Sequence, residues 1–282
     1  MLDKPQELKR EHKIVSRDKW IAARKELLKK EKEATKLLDQ LSAERRNLPW
    51  VKIEKDYVFD APGGKMKLAE LFEGRSQLAI YHFMFGPDWQ EGCPSCSFVS
   101  DHNDAALPHL AARDVTLVAI SRAPLAKLEA FKKRMGWHFN WVSSYGTDFN
   151  SDFHVSFPKE ETTGGKVNYN YELMEFPSEE APGLSMYYKD ANGDIFHTYS
   201  TYGRGLDQLL GTYRILDLAP KGRDEDGLPF SMAWVRYHDR YETNKTEFAD
   251  ADKPYWPDAE STPASQSKPS AACGCGSSGA KA

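Results

Sequence analysis

Two close pairs of cysteines are the residues in this chain whose spacing points to chemistry. Cys93 and Cys96 are separated by two residues, and Cys273 and Cys275 by a single glycine. A secreted disulfide scaffold would spread more cysteines along a shorter chain, whereas close pairs in a reducing compartment favour redox chemistry or metal binding. The sequence therefore offers a C-x-x-C dithiol and a C-x-C pair as candidate sites.

The first pair lies where a strand is followed by a helix. Residues 78–85 are apolar apart from His82 and predict a central strand, and a short loop then leads to Cys93. A helix beginning there presents unpaired amide groups and a partial positive charge, which lower a thiol pKa from about 8.5 to roughly 3.5–7.5. We predict that Cys93 attacks as a thiolate and that Cys96, on the first turn, resolves the mixed disulfide.

The residues leave other interpretations of the cysteines open. Cys93 and Cys96 are also consistent with a buried unreactive pair or with half of a zinc site, since C-x-x-C is a common metal knuckle. Cys273 and Cys275 would complete a four-thiolate metal site with them, would reduce them, or would have no role. A non-enzymatic metal-binding protein is therefore one alternative function.

The elements around the dithiol alternate between strands and helices, which predicts βαβ units and a parallel sheet. A turn at 190–193 joins two further strands as a hairpin, so the sheet is expected to be mixed. Residues 157–180, rich in polar residues and glycine, are expected to form an exposed insertion. The predicted strands are 57–59, 78–85, 115–121, 139–142, 184–188 and 195–199. The predicted helices run from Cys93 to about 112, over 124–135 and over 206–216.

The chain divides by composition into three parts. Residues 1–49 hold an amphipathic helix, capped by Ser16, whose apolar stripe would pack on the main domain or on a second copy in a homodimer. Residues 50–245 hold the α/β domain. Residues 246–282 are rich in Pro, Ser, Ala and Gly, cannot offset their ordering entropy by burial, and are expected to be a disordered tail with the Cys-Gly-Cys pair.

Three residues are candidates for substrate binding. Pro182 stands just before the hairpin strand, and the order of elements resembles thioredoxin-like folds, which carry a cis proline there that faces the dithiol; X–Pro bonds adopt cis readily, and the alternative is a trans proline that starts the strand. In that position its backbone would hold a substrate chain beside Cys93. Trp89, in the loop before the dithiol, would shield the thiol, contact substrate or simply pack. Arg204, between two glycines, would cap the next helix or bind an anion.

Composition restricts the partners and the compartment. A formal net charge of −4 argues against nucleic acid and anionic membranes, which reward a basic surface. The longest apolar run, 78–85, is too short to span a bilayer, and residues 1–15 carry no apolar signal region. We therefore expect a cytoplasmic protein. No dinucleotide fingerprint or phosphate loop is present, so no cofactor is expected.

Several sequence blocks resemble a bacterial family of unknown function whose members are described as predicted dithiol–disulfide oxidoreductases. The blocks are YHFMFGP from residue 81, GCPSCS from 92, SRAP from 121, RMGW from 134, HTYSTYGRG from 197 and WVRYHD from 234. The resemblance covers about residues 15–241 and implies a thioredoxin-like three-layer α/β sandwich with a mixed central sheet. It implies a thiol reductant and, as substrates, protein or small-molecule disulfides.

The chain is more distantly similar to peroxiredoxins, in the order of its elements and in WVSS from residue 141. It departs from them at Gln90, where peroxiredoxins carry Thr or Ser, and at Gly86, where they carry Pro. It also has no match for their arginine before the later strand. Arg122 and Arg204 are the candidates to replace that arginine in space. This similarity implies thiol peroxidase activity on peroxides as an alternative function.

Overall fold

A computed structural model describes residues 12–163 and 165–241 as a long helix followed by an α/β domain. The α-helices are α1 (Arg17–Arg46), α2 (Pro94–Ala111), α3 (Leu125–Met135), α4 (Phe149–Asp152), α5 (Lys159–Thr162) and α6 (Gly211–Leu216). The strands are β1 (Val51–Lys52), β2 (Val58–Ala61), β3 (Gly64–Lys67), β4 (Gln77–His82), β5 (Val115–Ser121), β6 (Asn140–Ser143), β7 (Val167–Tyr169), β8 (Glu172–Met174), β9 (Gly183–Lys189) and β10 (Ile195–Tyr202). Short 3-10 helices span Glu70–Phe72, Gly203–Leu209 and His238–Arg240. The predicted tail, with Cys273 and Cys275, lies outside the described residues.

A mixed eight-stranded sheet forms the centre of the domain, in the order β1-β10-β9-β4-β5-β6-β2-β3. Strand β4 is parallel to β5 and antiparallel to β9, and β5 is parallel to β6. The two parallel connections run through α2 and α3, as expected for βαβ units. The carboxyl ends of β4, β5 and β6 therefore meet at one edge of the sheet, and this is the edge at which α2 begins.

Side chains of the central strands alternate between two cores, one on each face of the sheet. On β4, Ala79 and Tyr81 enter the core formed with α2, α3 and α6, whereas Leu78 and Ile80 enter the opposite core. The second core is closed by α4, by the helix at Glu70–Phe72 and by the β7–β8 hairpin. A sheet buried on both faces explains the almost continuous apolar sequence of β4. The predicted thioredoxin-like three-layer sandwich is confirmed.

The N-terminal helix begins after Ser16, as predicted, and runs without interruption to Arg46. None of its residues is buried, and the apolar side chains of Trp20, Leu27 and Leu37 are about half exposed. It contacts the domain near its last turn, where the Arg45 guanidinium lies 5.7 Å from the centre of the Tyr199 ring. Packing of its apolar stripe on the main domain is not seen in the described chain, and packing on a second copy stays a prediction.

The insertion at residues 157–180 is not the exposed loop that the sequence suggested. Its strand β7 places Val167 and Tyr169 in the second core, and Phe157 is buried there too. The polar residues around the glycines led to the prediction of exposure, although apolar residues alternate with polar ones along β7. The predicted helix at 206–216 is also divided, because the chain follows a 3-10 path over Gly203–Leu209 before α6 begins. Among the described residues, no helix combines the length and apolarity needed to cross a bilayer.

A buried carboxylate ties this insertion to the edge of the sheet at which α2 begins. Glu180 is 1% exposed and accepts a hydrogen bond of 2.7 Å from Nε of Arg122, the residue that follows β5. The Ser156 hydroxyl donates to its other oxygen, also at 2.7 Å. Burial raises the pKa of Glu180, and the Arg122 guanidinium opposes that effect. The Arg122 guanidinium therefore stabilises the ionised Glu180 carboxylate, which would be unfavourable in this buried position without a partner.

We expect Arg122→Ala to reduce the free energy of unfolding by about 3–5 kcal/mol at pH 8, because it leaves Glu180 buried and unpaired. The deficit should narrow as pH falls, since a carboxyl whose folded pKa is raised binds its proton more tightly in the folded chain than in the unfolded chain. Urea unfolding at pH 8 and pH 5 measures both effects.

Arg204→Ala is the matched control, because the Arg204 side chain is 86% exposed and pairs only with Asp207 among the described residues. It should change stability by less than about 1 kcal/mol at either pH. A loss in Arg122→Ala as small as that control would contradict a structural role for the buried ion pair.

Candidate functional site

The dithiol lies at the leading end of α2, as the sequence predicted. Cys93 is the N-cap residue and Pro94 the first helical residue, where a missing amide hydrogen removes no intrahelical bond. The Cys93 N–H donates to the Met84 carbonyl at 3.0 Å and so fixes the first cysteine to the chain that leaves β4. Its carbonyl accepts the first bond of the helix, from the Ser97 N–H at 2.9 Å.

The two thiols differ in their access to water. Both are free, but Cys93 is partly exposed, whereas Cys96 is 1% exposed and belongs to the core beneath α2. The Met84 N–H donates to Sγ of Cys96 at 3.5 Å. Of the two sulfurs, only that of Cys93 is therefore open to a molecule from solution, whereas that of Cys96 is enclosed by the core.

The pKa values of the two thiols move apart. The pKa of Cys93 is lowered to about 7, chiefly by a hydrogen bond from the Cys96 thiol, with the amides of Cys96 and Ser95 also lowering it and burial opposing them. The pKa of Cys96 is raised well above its usual value, first by burial and then by the neighbouring Cys93 sulfur. The sequence argument relied on helix amides alone, whereas the neighbouring thiol is the larger cause.

The loop before the dithiol is held by main-chain contacts. Nζ of Lys127 donates to the carbonyls of Pro87 and Trp89, at 2.8 and 2.9 Å. The half-buried Trp89 ring packs over Gly86, where an added Cβ would lie 3.0 Å from its indole nitrogen. At Gly92 an added Cβ would lie 2.6 Å from the Phe83 ring, so only glycine fits before Cys93. A packing role for Trp89 is thus evident, and its contact with substrate stays a proposal.

The last described segment, residues 234–241, covers this loop; we call it the C-terminal strap. The Tyr237 hydroxyl donates to the Gly92 carbonyl at 2.6 Å. Glu91 accepts hydrogen bonds from Arg240, at 2.8 Å, and from Arg134. Arg134 in turn pairs with Asp239 at 2.7 Å. The strap therefore holds both residues that immediately precede Cys93.

Sequence reasoning missed this strap, for which the WVRYHD block was the only signal. Asp101 and His102 of α2 show that the outer side of this helix is not simply solvated. Asp101 accepts hydrogen bonds from Trp137, at 2.8 Å, and pairs with His238 of the strap at 2.7 Å. His102 lies 3.0 Å from the Thr212 hydroxyl at the start of α6.

Pro182 lies at the sheet edge of the dithiol, but its predicted cis peptide bond is wrong. Gly183, the next residue, pairs with His82 at the end of β4. No peptide bond within residues 12–163 and 165–241 is cis. Bonds on either side hold an extended chain here: the Ala181 N–H donates to the Val155 carbonyl at 2.9 Å, and the Tyr169 hydroxyl to the Pro182 carbonyl at 2.8 Å. The trans form, favoured by about 0.5–1 kcal/mol, satisfies both.

No hydrogen bond, ion pair or ring contact among the described residues joins Arg204 or His82 to the dithiol. Arg204 is exposed and paired with Asp207, so its substrate-binding role stays a prediction. His82 faces the second core, where its ring stacks on Phe153 and its Nε2 lies 2.8 Å from the Ser185 hydroxyl. Burial lowers its pKa to about 3, as expected for a neutral core histidine.

Metal binding is not supported by side-chain geometry in the part of the chain that the structure describes. There, no cluster of three or more His, Cys, Asp or Glu side chains is arranged to hold a metal ion. A four-thiolate site would need Cys273 and Cys275, which lie outside the described residues.

The sequence of this chain, including the site, matches one protein family. A family profile described as "Bacterial protein of unknown function (DUF899)" matches residues 9–241, which include the dithiol and the strap. The chain belongs to the DUF899 family. The resemblance to a bacterial family of unknown function is thereby confirmed, and no curated protein matches this DUF899 chain.

Solved structures similar to this DUF899 chain include several peroxiredoxins. Peroxidoxin BcpB from Mycobacterium tuberculosis is 14% identical with a TM-score of 0.40, over 59% of this chain and 96% of that one. PrxQ from Xylella fastidiosa is 12% identical with a TM-score of 0.36, over 56% and 87%. Peroxiredoxin Q from Xanthomonas campestris is 14% identical with a TM-score of 0.35, over 56% and 90%. Likeness at this level does not bear on activity, and the fold assignment rests on the sheet order described above.

We expect the alkylation rate of Cys93 by iodoacetamide to rise with a midpoint near pH 7, where its thiolate forms. In Cys96→Ala the midpoint should move upward, because the strongest hydrogen bond to the thiolate is lost. Quantification of the Cys93 peptide by mass spectrometry across pH measures both midpoints. The urea-unfolded chain is the control and should titrate near about 8.5. An unmoved midpoint in Cys96→Ala would contradict the stated cause.

Proposed function

We propose that this DUF899 protein is a thiol–disulfide oxidoreductase in which Cys93 is the nucleophile and Cys96 the resolving thiol. The observation that carries the proposal is the contrast between the two sulfurs. One is partly exposed with a pKa of about 7, and the other is sealed in the core one turn along the same helix. Such a pair separates the step that needs solvent access from the step that must exclude it.

The reaction balances as two successive exchanges. The Cys93 thiolate attacks one sulfur of a substrate disulfide, whose S–S bond breaks, and the other substrate sulfur leaves as a thiolate. The Cys96 thiol then gives up its proton and attacks Sγ of Cys93. This forms the Cys93–Cys96 disulfide and releases the second substrate thiolate, which takes up the proton. Two electrons pass to the substrate, and an external thiol must restore the dithiol, as a reducing compartment such as the cytosol allows.

Protein or small-molecule disulfides are the proposed substrates, received at the sheet edge where α2 begins. Around Cys93 at this edge, Met84, Trp89 and Pro182 are each partly exposed. These apolar side chains would contact the carbon atoms that flank a disulfide. Pro182 immediately precedes the extended strand β9. The Pro182 carbonyl is already bound to Tyr169, so a substrate chain would use other groups of this edge.

Peroxide reduction is the second candidate, favoured by the limited exposure of Cys93, which admits a small peroxide more readily than a folded protein. The thiolate would attack one peroxide oxygen, break the O–O bond and become a sulfenic acid, releasing water or an alcohol. Cys96 would then condense with the sulfenic acid and release water. The same disulfide results, and the same thiol reductant is needed.

Substitution of each cysteine separates these activities. Cys93→Ser should abolish dithiothreitol-driven reduction of a small aromatic disulfide, because the other described thiol, Cys96, is buried. Cys96→Ser should perform one turnover and retain a mixed disulfide that intact-mass spectrometry detects. If peroxide is the substrate instead, Cys96→Ser should retain a sulfenic acid that dimedone traps.

Cys273→Ser/Cys275→Ser is the control for the tail pair, and it should keep the core reaction if Cys93 and Cys96 suffice. Unchanged turnover of both disulfides and peroxides in Cys93→Ser would remove this dithiol from the mechanism and overturn the proposed function.

A further inference from the structure

We propose that the Tyr81 hydroxyl stabilises the thiolate of Cys96 while Cys96 attacks the mixed disulfide. The inference rests on the proposed function and assigns a further residue to its second step. In the proposed second step, the resolving sulfur of Cys96 must ionise inside a core.

Ionisation of Cys96 is opposed by its surroundings. Its side chain is 1% exposed, and burial in the core beneath α2 favours the neutral thiol. In the reduced protein this thiol donates to the Cys93 sulfur, but that sulfur loses its charge once it is bound to substrate. During resolution the Cys96 thiolate must therefore be held by other donors.

The described structure offers few such donors. The Met84 N–H reaches Cys96 at 3.5 Å, a long contact. Tyr169 also lies within electrostatic reach of Cys96, but its hydroxyl hydrogen is committed to the Pro182 carbonyl at 2.8 Å. The remaining group is the hydroxyl of Tyr81, whose pKa is affected by Cys96 and, more weakly, by Cys93.

The Tyr81 hydroxyl is buried beside Cys96. Tyr81 lies on β4, is 1% exposed and points into the core that contains Cys96. Its hydroxyl makes no hydrogen bond of regular geometry with a described residue, but it lies close enough to the Cys96 sulfur to lower the pKa of that thiol. A buried hydroxyl without a well-formed hydrogen bond lowers the stability of the fold, so such a group in a native core often has a functional role. A thiolate on Cys96 would supply the missing acceptor.

The chemistry assigns Tyr81 as a donor rather than a base. Burial raises its pKa well above the ordinary value, so the hydroxyl keeps its proton throughout. The hydroxyl hydrogen turns toward Sγ of Cys96 as that sulfur loses its proton. When the Cys93–Cys96 bond forms the negative charge leaves with the substrate thiolate, which receives the proton. No proton or electron passes through Tyr81.

Tyr187 provides a matched control within the same protein. It is also 1% exposed, and its hydroxyl also lacks a hydrogen-bond partner in the described chain. However, it lies on β9 and enters the opposite core, away from the dithiol. Replacement of either tyrosine by phenylalanine removes one unpaired buried hydroxyl and keeps the ring, so the two variants carry the same structural change.

The test is a single-turnover reaction with excess 5,5′-dithiobis(2-nitrobenzoate), in the full-length Cys273→Ser/Cys275→Ser background. The attack of Cys93 releases one coloured thiolate, and resolution by Cys96 releases a second, so the two steps are separated in time. We expect Tyr81→Phe to slow the second release by roughly 10–100-fold, the range for loss of a hydrogen bond to a charged group. The first release should stay within about twofold, and Tyr187→Phe should change neither.

The inference is overturned if Tyr81→Phe and Tyr187→Phe slow the second release equally, if neither slows it, or if Tyr81→Phe slows both releases alike. The lifetime of the mixed disulfide, followed by intact mass after acid quench, must lengthen in Tyr81→Phe alone. Failure of the proposed function looks different, because the parent protein itself would then show no Cys93-dependent first release.

Discussion

The separation of two sulfurs by one helical turn, with water reaching only the first, is the constraint on which the rest of this protein depends. Cys93 caps α2 at the carboxyl edge of the sheet, and Cys96 enters the core on the next turn. A hydrogen bond from the Cys96 thiol lowers the pKa of Cys93, whereas burial, and after it the neighbouring Cys93 sulfur, raises the pKa of Cys96. Reactivity and burial are therefore properties of the pair, not of either cysteine alone.

The fold supplies this arrangement by fixing backbone on every side of the first sulfur. The central sheet fixes Met84, whose carbonyl holds the Cys93 amide and whose amide reaches Cys96. Helix α3 contributes Lys127, which binds the loop carbonyls, and the C-terminal strap binds Glu91 and Gly92. Few of these contacts involve the sulfur atoms themselves. They set the position and orientation of the loop that presents them, which is the usual task of residues around a reactive site.

Features that depend on local pattern were predictable from the sequence. Strand β5 occupies 115–121 as predicted, and α2 begins at Pro94, because an apolar run and a proline after a cap are decisive over a few residues. The strap, the Arg122–Glu180 pair and the contacts of Asp101 with Trp137 and His238 were not predictable, since each depends on a partner far away in the chain. The cis bond expected at Pro182 was an analogy, and the described chain is trans there.

The strap also has a consequence for the order in which the site is made. The chain is synthesised from its N-terminus, so the ribosome adds Cys93 well before Tyr237, the residue that closes over Gly92 across a separation of 145 positions. Until that segment has been added, Glu91 lacks its contact with Arg240 and Gly92 lacks its contact with Tyr237, so the strap does not yet cover the loop before the dithiol. Contacts of such long range form late and slowly. A ribosome-bound chain truncated before the strap would therefore present a more exposed dithiol than the finished protein.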